Sequence, residues 1–84
     1  VGMHRILLVD DDLLSLRSTK LLLEKNGYQV DTVTSGDEAI ARVRACGACG
    51  YALVLLDFRM QGKDGAATAE ALLSLSPDLF ILIY

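Results

Sequence analysis

Three consecutive carboxylates, Asp10, Asp11 and Asp12, follow directly on the apolar run RILLV (5–9), and a fourth, Asp57, closes the run YALVLLD (51–57). Converging carboxylates stay ionised together only beside a cation or with strongly shifted pKa values. A solvated acidic turn is one outcome of such a sequence, and a cation site is the other. Oxygen-only ligation with few protein ligands suits Mg²⁺, which keeps waters and bridges to phosphate oxygens. An aspartate beside such an ion is also a plausible nucleophile toward phosphorus. The residue types therefore permit metal-assisted phosphoryl transfer to a carboxylate without requiring it.

The elements that position these acids are legible in the hydrophobic pattern. RILLV is continuous rather than alternating, which predicts a strand buried on both faces. Residues 13–26 carry Leu13, Leu14, Leu16, Leu21, Leu22 and Leu23 among Arg17, Lys20, Glu24 and Lys25. This predicts a helix with a leucine core face, stopped by Gly27 in a left-handed conformation. YQVDTV (28–33) alternates and predicts a strand nearer an edge. Ser35 and Glu38 have capping-box spacing at the start of a second helix that runs to about Cys46. YALVLLD reads as a central strand, AATAEALLSLS (66–76) as a third helix, and LFILIY (79–84) as a fourth strand, with the loop FRMQGKDG (58–65) between Asp57 and the third helix.

Strand–helix alternation with short connections predicts an α/β layered domain with parallel pairing through right-handed crossovers. In such sheets the functional crevice lies outside the carboxyl ends of the strands. If the first and third strands are neighbours, Asp10, Asp11 and Asp57 converge there.

The 84 residues allow one small domain, and 52% hydrophobic with 23% charged residues is a globular composition. A net charge of −3 does not suggest a nucleic-acid surface. No apolar run reaches the roughly 20 residues that span a bilayer, and VGMHR lacks the features of a signal peptide, so the expected compartment is the cytoplasm. Cys46 and Cys49 form a lone CxxC at the end of a helical pattern, where the helix dipole raises rather than lowers a thiol pKa; reduced thiols in a small-residue turn are expected. His4, at the start of the first strand, and Tyr28, Tyr51 and Phe80 read as structural or packing residues. Lys63 and Asp64 read as solvated loop charges.

In ILLVDDD, in LVLLDFRM around Asp57, and in the GKDG that ends at Gly65, the sequence resembles the receiver domains of two-component response regulators, and the order and lengths of the intervening elements resemble them too. The resemblance covers essentially the whole chain. It implies a flavodoxin-like, doubly wound parallel sheet with strand order 2-1-3-4, residues 1–84 forming the N-terminal part of the domain. It implies that Asp57 is the phosphoacceptor for a sensor histidine kinase or phosphotransfer protein. Asp10, Asp11, Asp57 and the backbone carbonyl of Arg59 would hold Mg²⁺, one of the pair Asp10 and Asp11 directly and the other largely through water, with Mn²⁺ as a substitute. The Arg59 side chain would then lie near the site and tune the lifetime of the phosphoryl group. Asp12 reads as a helix-start residue.

Gln61 stands where the family has proline, which predicts a less rigid loop. A Ser or Thr after the fourth strand and a Lys after a fifth, which the family uses to bind phosphoryl oxygens, do not occur up to Tyr84, nor do a fifth strand and the last two helices. The expectation is a receiver cut after its fourth strand, poorly labelled in this form, that self-associates through that strand's edge. The output domain of the parent protein is not encoded here, and no membrane or direct nucleic-acid partner is expected. Two other readings stand beside this one. A receiver-like interaction module would no longer take phosphate. A haloacid-dehalogenase-like phosphohydrolase would use Asp10 as nucleophile in a strand followed by Asp-x-Asp, although Leu14 occupies the position where that family has Thr or Val.

Overall fold

The computed structural model describes residues 5–46, 50–57 and 65–84. Within them strand and helix alternate: β1 (Arg5–Val9), α1 (Leu13–Lys25), β2 (Gln29–Val33), α2 (Gly36–Cys46), β3 (Leu53–Leu56), α3 (Gly65–Leu75) and β4 (Phe80–Ile83). The four strands form one parallel sheet in the order β2-β1-β3-β4. This is the flavodoxin-like order expected above. The chain steps outward from β1 to β2, then returns past β1 to β3, so strand order reverses between β1 and β3. That reversal point is where the acids lie.

The uninterrupted apolar run of β1 is explained by burial on both sides. Leu7 and Val9 join Val33, Val54, Leu56, Ala39, Val43 and Leu72 in the core under α2 and α3. Ile6 and Leu8 face the opposite way, onto Leu16 and Val30 under α1. Burying each such side chain stabilises the fold by roughly 1.5–3 kcal/mol, so β1 is the sheet's anchor.

Local chemistry sets the helix ends. The Asp12 carboxylate caps α1, accepting from the Leu14 N–H at 3.0 Å and the Ser15 hydroxyl at 3.1 Å. At the other end, Gly27 N–H donates to the Glu24 carbonyl and Tyr28 N–H to the Leu23 carbonyl, with Gly27 at φ +90°. This is the Schellman arrangement, and its left-handed residue favours glycine. Ser35 accepts from the Glu38 N–H at 3.1 Å, but the Glu38 carboxylate takes the Thr34 hydroxyl instead of closing the box. α2 packs against α3 at Gly36, where any Cβ would overlap the Thr68 hydroxyl.

Two expectations about packing are corrected. In α1 only Leu16 is buried and Leu23 packs beside it; Leu13, Leu14, Leu21 and Leu22 are exposed. The inward face at 3.6 residues per turn is Leu16, Thr19, Lys20 and Leu23, so the leucine run covers more of the helix than the sheet buries. Of the aromatic residues read as packing, Tyr51 is buried, Tyr28 is partly exposed, and Phe80 is 74% exposed. Phe80 is in register with Leu53 and shares its face. That face is covered by α1, which lies over β1 and β2, far from β4.

Candidate functional site

The sheet register brings the acids level with one another. Asp10 N–H donates to the Val33 carbonyl at 3.2 Å, and Asp57 N–H to the Val9 carbonyl at 2.9 Å. Each acid therefore leaves its strand at the same height on adjacent strands. Asp10, Asp11 and Asp57 each offer a carboxylate oxygen within a group no wider than 4.8 Å. Asp10 is 3% exposed, Asp57 is half-buried and Asp11 is exposed. The convergence expected from the sequence is present.

Asp10 is held on both oxygens. Its Oδ1 accepts from the Asp12 N–H at 3.0 Å, and its Oδ2 accepts from the Tyr84 hydroxyl at 2.8 Å. Burial pushes the Tyr84 phenol well above its ordinary pKa, and the hydrogen bond to Asp10 and the charges of Asp10 and Asp57 push it further. The phenol thus stays a donor across the neutral range. Sequence reasoning missed this residue, treating Tyr84 only as the last position of a strand. The available signal was its place at the carboxyl end of a strand near one that ends on aspartate. Asp12 does not join the group, because its carboxylate caps α1.

The donor set fits a small hard cation. Three carboxylate oxygens are close enough to share one ion, Asp10 is fixed in place, and exposed Asp11 leaves a side open for the waters Mg²⁺ retains. Arg59, Gln61, Lys63, Asp64, His4 and Cys49, and the side chain of Cys46, lie outside the described residues. A groove of about 630 Å³ runs along α1 and is lined by Leu13, Leu14, Leu16, Arg17, Lys20 and Thr32, away from the acids.

A second carboxylate centre was not foreseen. Asp31 Oδ2 accepts from Arg5 Nη2 and from the Tyr51 hydroxyl, both at 2.7 Å, with Arg42 Nη1 at 3.6 Å. Arg5 also lies over the Tyr51 ring, 4.9 Å from its centre. The Tyr51 hydrogen bond, with Arg5 and Arg42 adding and burial opposing, lowers the Asp31 pKa. The sequence signal was an acid in the middle of an otherwise half-apolar strand.

With this geometry in view, the chain was compared with known proteins. The response regulator receiver domain family matches residues 6–84. The chain belongs to that family, the receiver domains of two-component systems. It is 41% identical over 82 residues to the transcriptional regulatory protein ZraR of Salmonella typhimurium, covering 98% of this chain and 18% of ZraR. It thus spans about a fifth of that relative's length. Among solved structures, the response regulator TrrA of Thermotoga maritima in complex with Mg²⁺-BeF superposes with a TM-score of 0.89 at 33% identity, covering 96% of this chain and 68% of that one. A complex of the histidine kinase ThkA with TrrA matches at a TM-score of 0.86, again at 33% identity, over 96% of this chain and 67% of the matched chain.

Proposed function

We propose that Asp57 accepts a phosphoryl group from the phosphohistidine of a sensor histidine kinase or phosphotransfer protein, in a reaction that depends on Mg²⁺ held by Asp10, Asp11, Asp57 and the Arg59 carbonyl. One observation carries this reading: the β1–β3 register sets the three carboxylates within 4.8 Å at the crevice of the sheet. The ion, when bound, would offset repulsion between the incoming phosphoryl group and the acidic pocket. An Asp57 oxygen forms the new bond to phosphorus as the bond to the histidine nitrogen breaks, and the departing imidazole keeps the electron pair and takes up a proton. The choice of nucleophile follows from accessibility. Asp57 is half-buried, while Asp10 is nearly inaccessible with both oxygens already accepting hydrogen bonds. Asp12, the second acid of the phosphohydrolase alternative, is occupied in capping α1.

Residues 1–84 are then the N-terminal part of a receiver that relays a conformational signal to an output domain elsewhere in the protein. The fold relatives include a receiver seen with a histidine kinase, which supports a kinase as the donor. A cytoplasmic setting accords with the described helices, none of which is long and apolar enough to cross a membrane. The test is mass spectrometry on the full-length protein with a small-molecule phosphodonor and Mg²⁺. The wild type gains one phosphoryl mass and Asp57→Asn gains none. Labelling that persists in Asp57→Asn and disappears in Asp10→Asn would favour the phosphohydrolase chemistry instead.

The partner proposed for β4 is a second copy of the chain. β4 is an edge strand among the described residues, with Phe80 74% and Leu82 56% exposed. An edge of this kind is a template for strand pairing, and twofold symmetry makes it self-complementary. Ile81 packs against the core, so Leu82 is the informative position. The 84-residue chain is expected to dimerise across a dilution series in light scattering, and Leu82→Lys to shift it to monomer. A monomer at high concentration, indifferent to that substitution, removes the interface.

A further inference from the structure

Each oxygen of Asp10 accepts one hydrogen bond, and the donor on Oδ2 stands where a cation would draw on the carboxylate. Tyr84 N–H donates to the Leu56 carbonyl at 2.9 Å, which continues the β3–β4 ladder one residue past β4. This fixes the Tyr84 backbone beside the residue that precedes Asp57. From there the side chain crosses the end of β3 to reach Asp10 at the end of β1, and its hydroxyl donates to Oδ2 at 2.8 Å. The other oxygen of Asp10 already accepts from the Asp12 N–H, a bond that belongs to the turn into α1. Oδ2 is therefore the oxygen of Asp10 whose partner is an exchangeable side chain. Tyr84 as a whole is 53% exposed, so its ring has a path to solvent.

We propose that Tyr84 is a gate on the acidic site: its hydroxyl occupies Asp10 Oδ2, so that an ion drawing on that oxygen, directly or through a bound water, enters in competition with it. This rests on the cation reading given above and adds its regulation. The physical basis is competition for one oxygen. The positive end of the O–H dipole stabilises the Asp10 carboxylate in the absence of a cation, and the same dipole end is repelled by a cation beside it. Loading the ion therefore costs one hydrogen bond to a charged acceptor. A phenol that only closed the end of the strand, or that oriented Asp10 for the ion, would act differently on affinity.

The experiment compares wild type, Tyr84→Phe and Asp11→Asn. Mn²⁺ binding is followed by the paramagnetic signal of the free ion, Mg²⁺ by competition, and tyrosine fluorescence is recorded in the same titrations. The chain has three tyrosines and no tryptophan, so emission reports tyrosine environments directly. Tyr84→Phe keeps the ring and loses only the hydroxyl, and a thermal melt verifies that it folds. It is expected to bind both ions about 3–10-fold tighter than wild type, the size of one lost competing hydrogen bond. Wild-type emission is expected to change as Mg²⁺ saturates, and that change to disappear in Tyr84→Phe. Equal or weaker binding by Tyr84→Phe overturns the gate while leaving the cation site intact. Binding that Asp11→Asn leaves unaltered overturns the cation site itself, and the gate with it.

Discussion

Asp31 and Asp10 are both aspartates on neighbouring strands, yet the protein treats them in opposite ways. Asp31, in the middle of β2, is matched by charge: Arg5 and Tyr51 donate to it at 2.7 Å and Arg42 stands at 3.6 Å. Asp10, at the carboxyl end, is more deeply buried, but its hydrogen-bond donors are neutral, and its close neighbours are two further carboxylates. The first arrangement is complete without any ligand. The second gathers three carboxylates at one end of the sheet, a donor set compatible with a cation. The difference separates a carboxylate matched by charged donors from a group of carboxylates that repel one another, and stability measurements should resolve it by sign.

The larger effect belongs to Asp31. Asp31→Asn is expected to lower stability at neutral pH by about 1–2 kcal/mol, a value discounted for the partial exposure of the pair. The folded-state pKa of Asp31 lies below its ordinary value of 3.8. Its contribution is therefore fully present above 3.8 and is lost as pH falls through the lower, folded-state value. Urea melts of wild type and Asp31→Asn across that range should show a constant gap at neutral pH that narrows in acid. A gap that does not change with pH would mean that the ionised form of Asp31 is not what matters, and the contrast would weaken.

The smaller effect has the opposite sign. In chelator-treated buffer, Asp11→Asn is expected to raise stability by about 0.5 kcal/mol, because it removes one of three like charges at a largely exposed position. The same substitution should abolish the stabilisation that Mg²⁺ gives the wild type, since ligand binding to the native state is itself a stability term. A loss of stability in the metal-free melt would show that the other contacts of Asp11 outweigh the repulsion, and the contrast with Asp31 would shrink.

Periodicity and end signals made the elements legible from the sequence. The continuous apolar run of β1, the Gly27 stop, the Asp12 and Ser35 caps and the acids at the ends of β1 and β3 all act through neighbours a few residues away, so a single chain reading captures them. The family resemblance supplied the strand order, and with it the expectation that Asp10, Asp11 and Asp57 meet. What lay outside that reach depends on contacts between distant segments. Four leucines of α1 face outward because the sheet offers one helix only so much apolar surface to cover. Phe80 is exposed because α1 covers the other side of the same face. Gly36 is required by Thr68, on another helix, and Asp31 finds its partners on two other strand segments and on α2. The Tyr84 hydroxyl reaches Asp10 only because β3 separates their strands by one place. The sequence by itself determined which residues carry charge and the kind and order of the elements, with ends placed to within a few residues, since those follow from local propensity and hydrogen bonding. Tertiary structure alone decided which carboxylate meets charged donors and which meets neutral donors beside other acids, because that depends on which groups the packed sheet brings within about 3 Å.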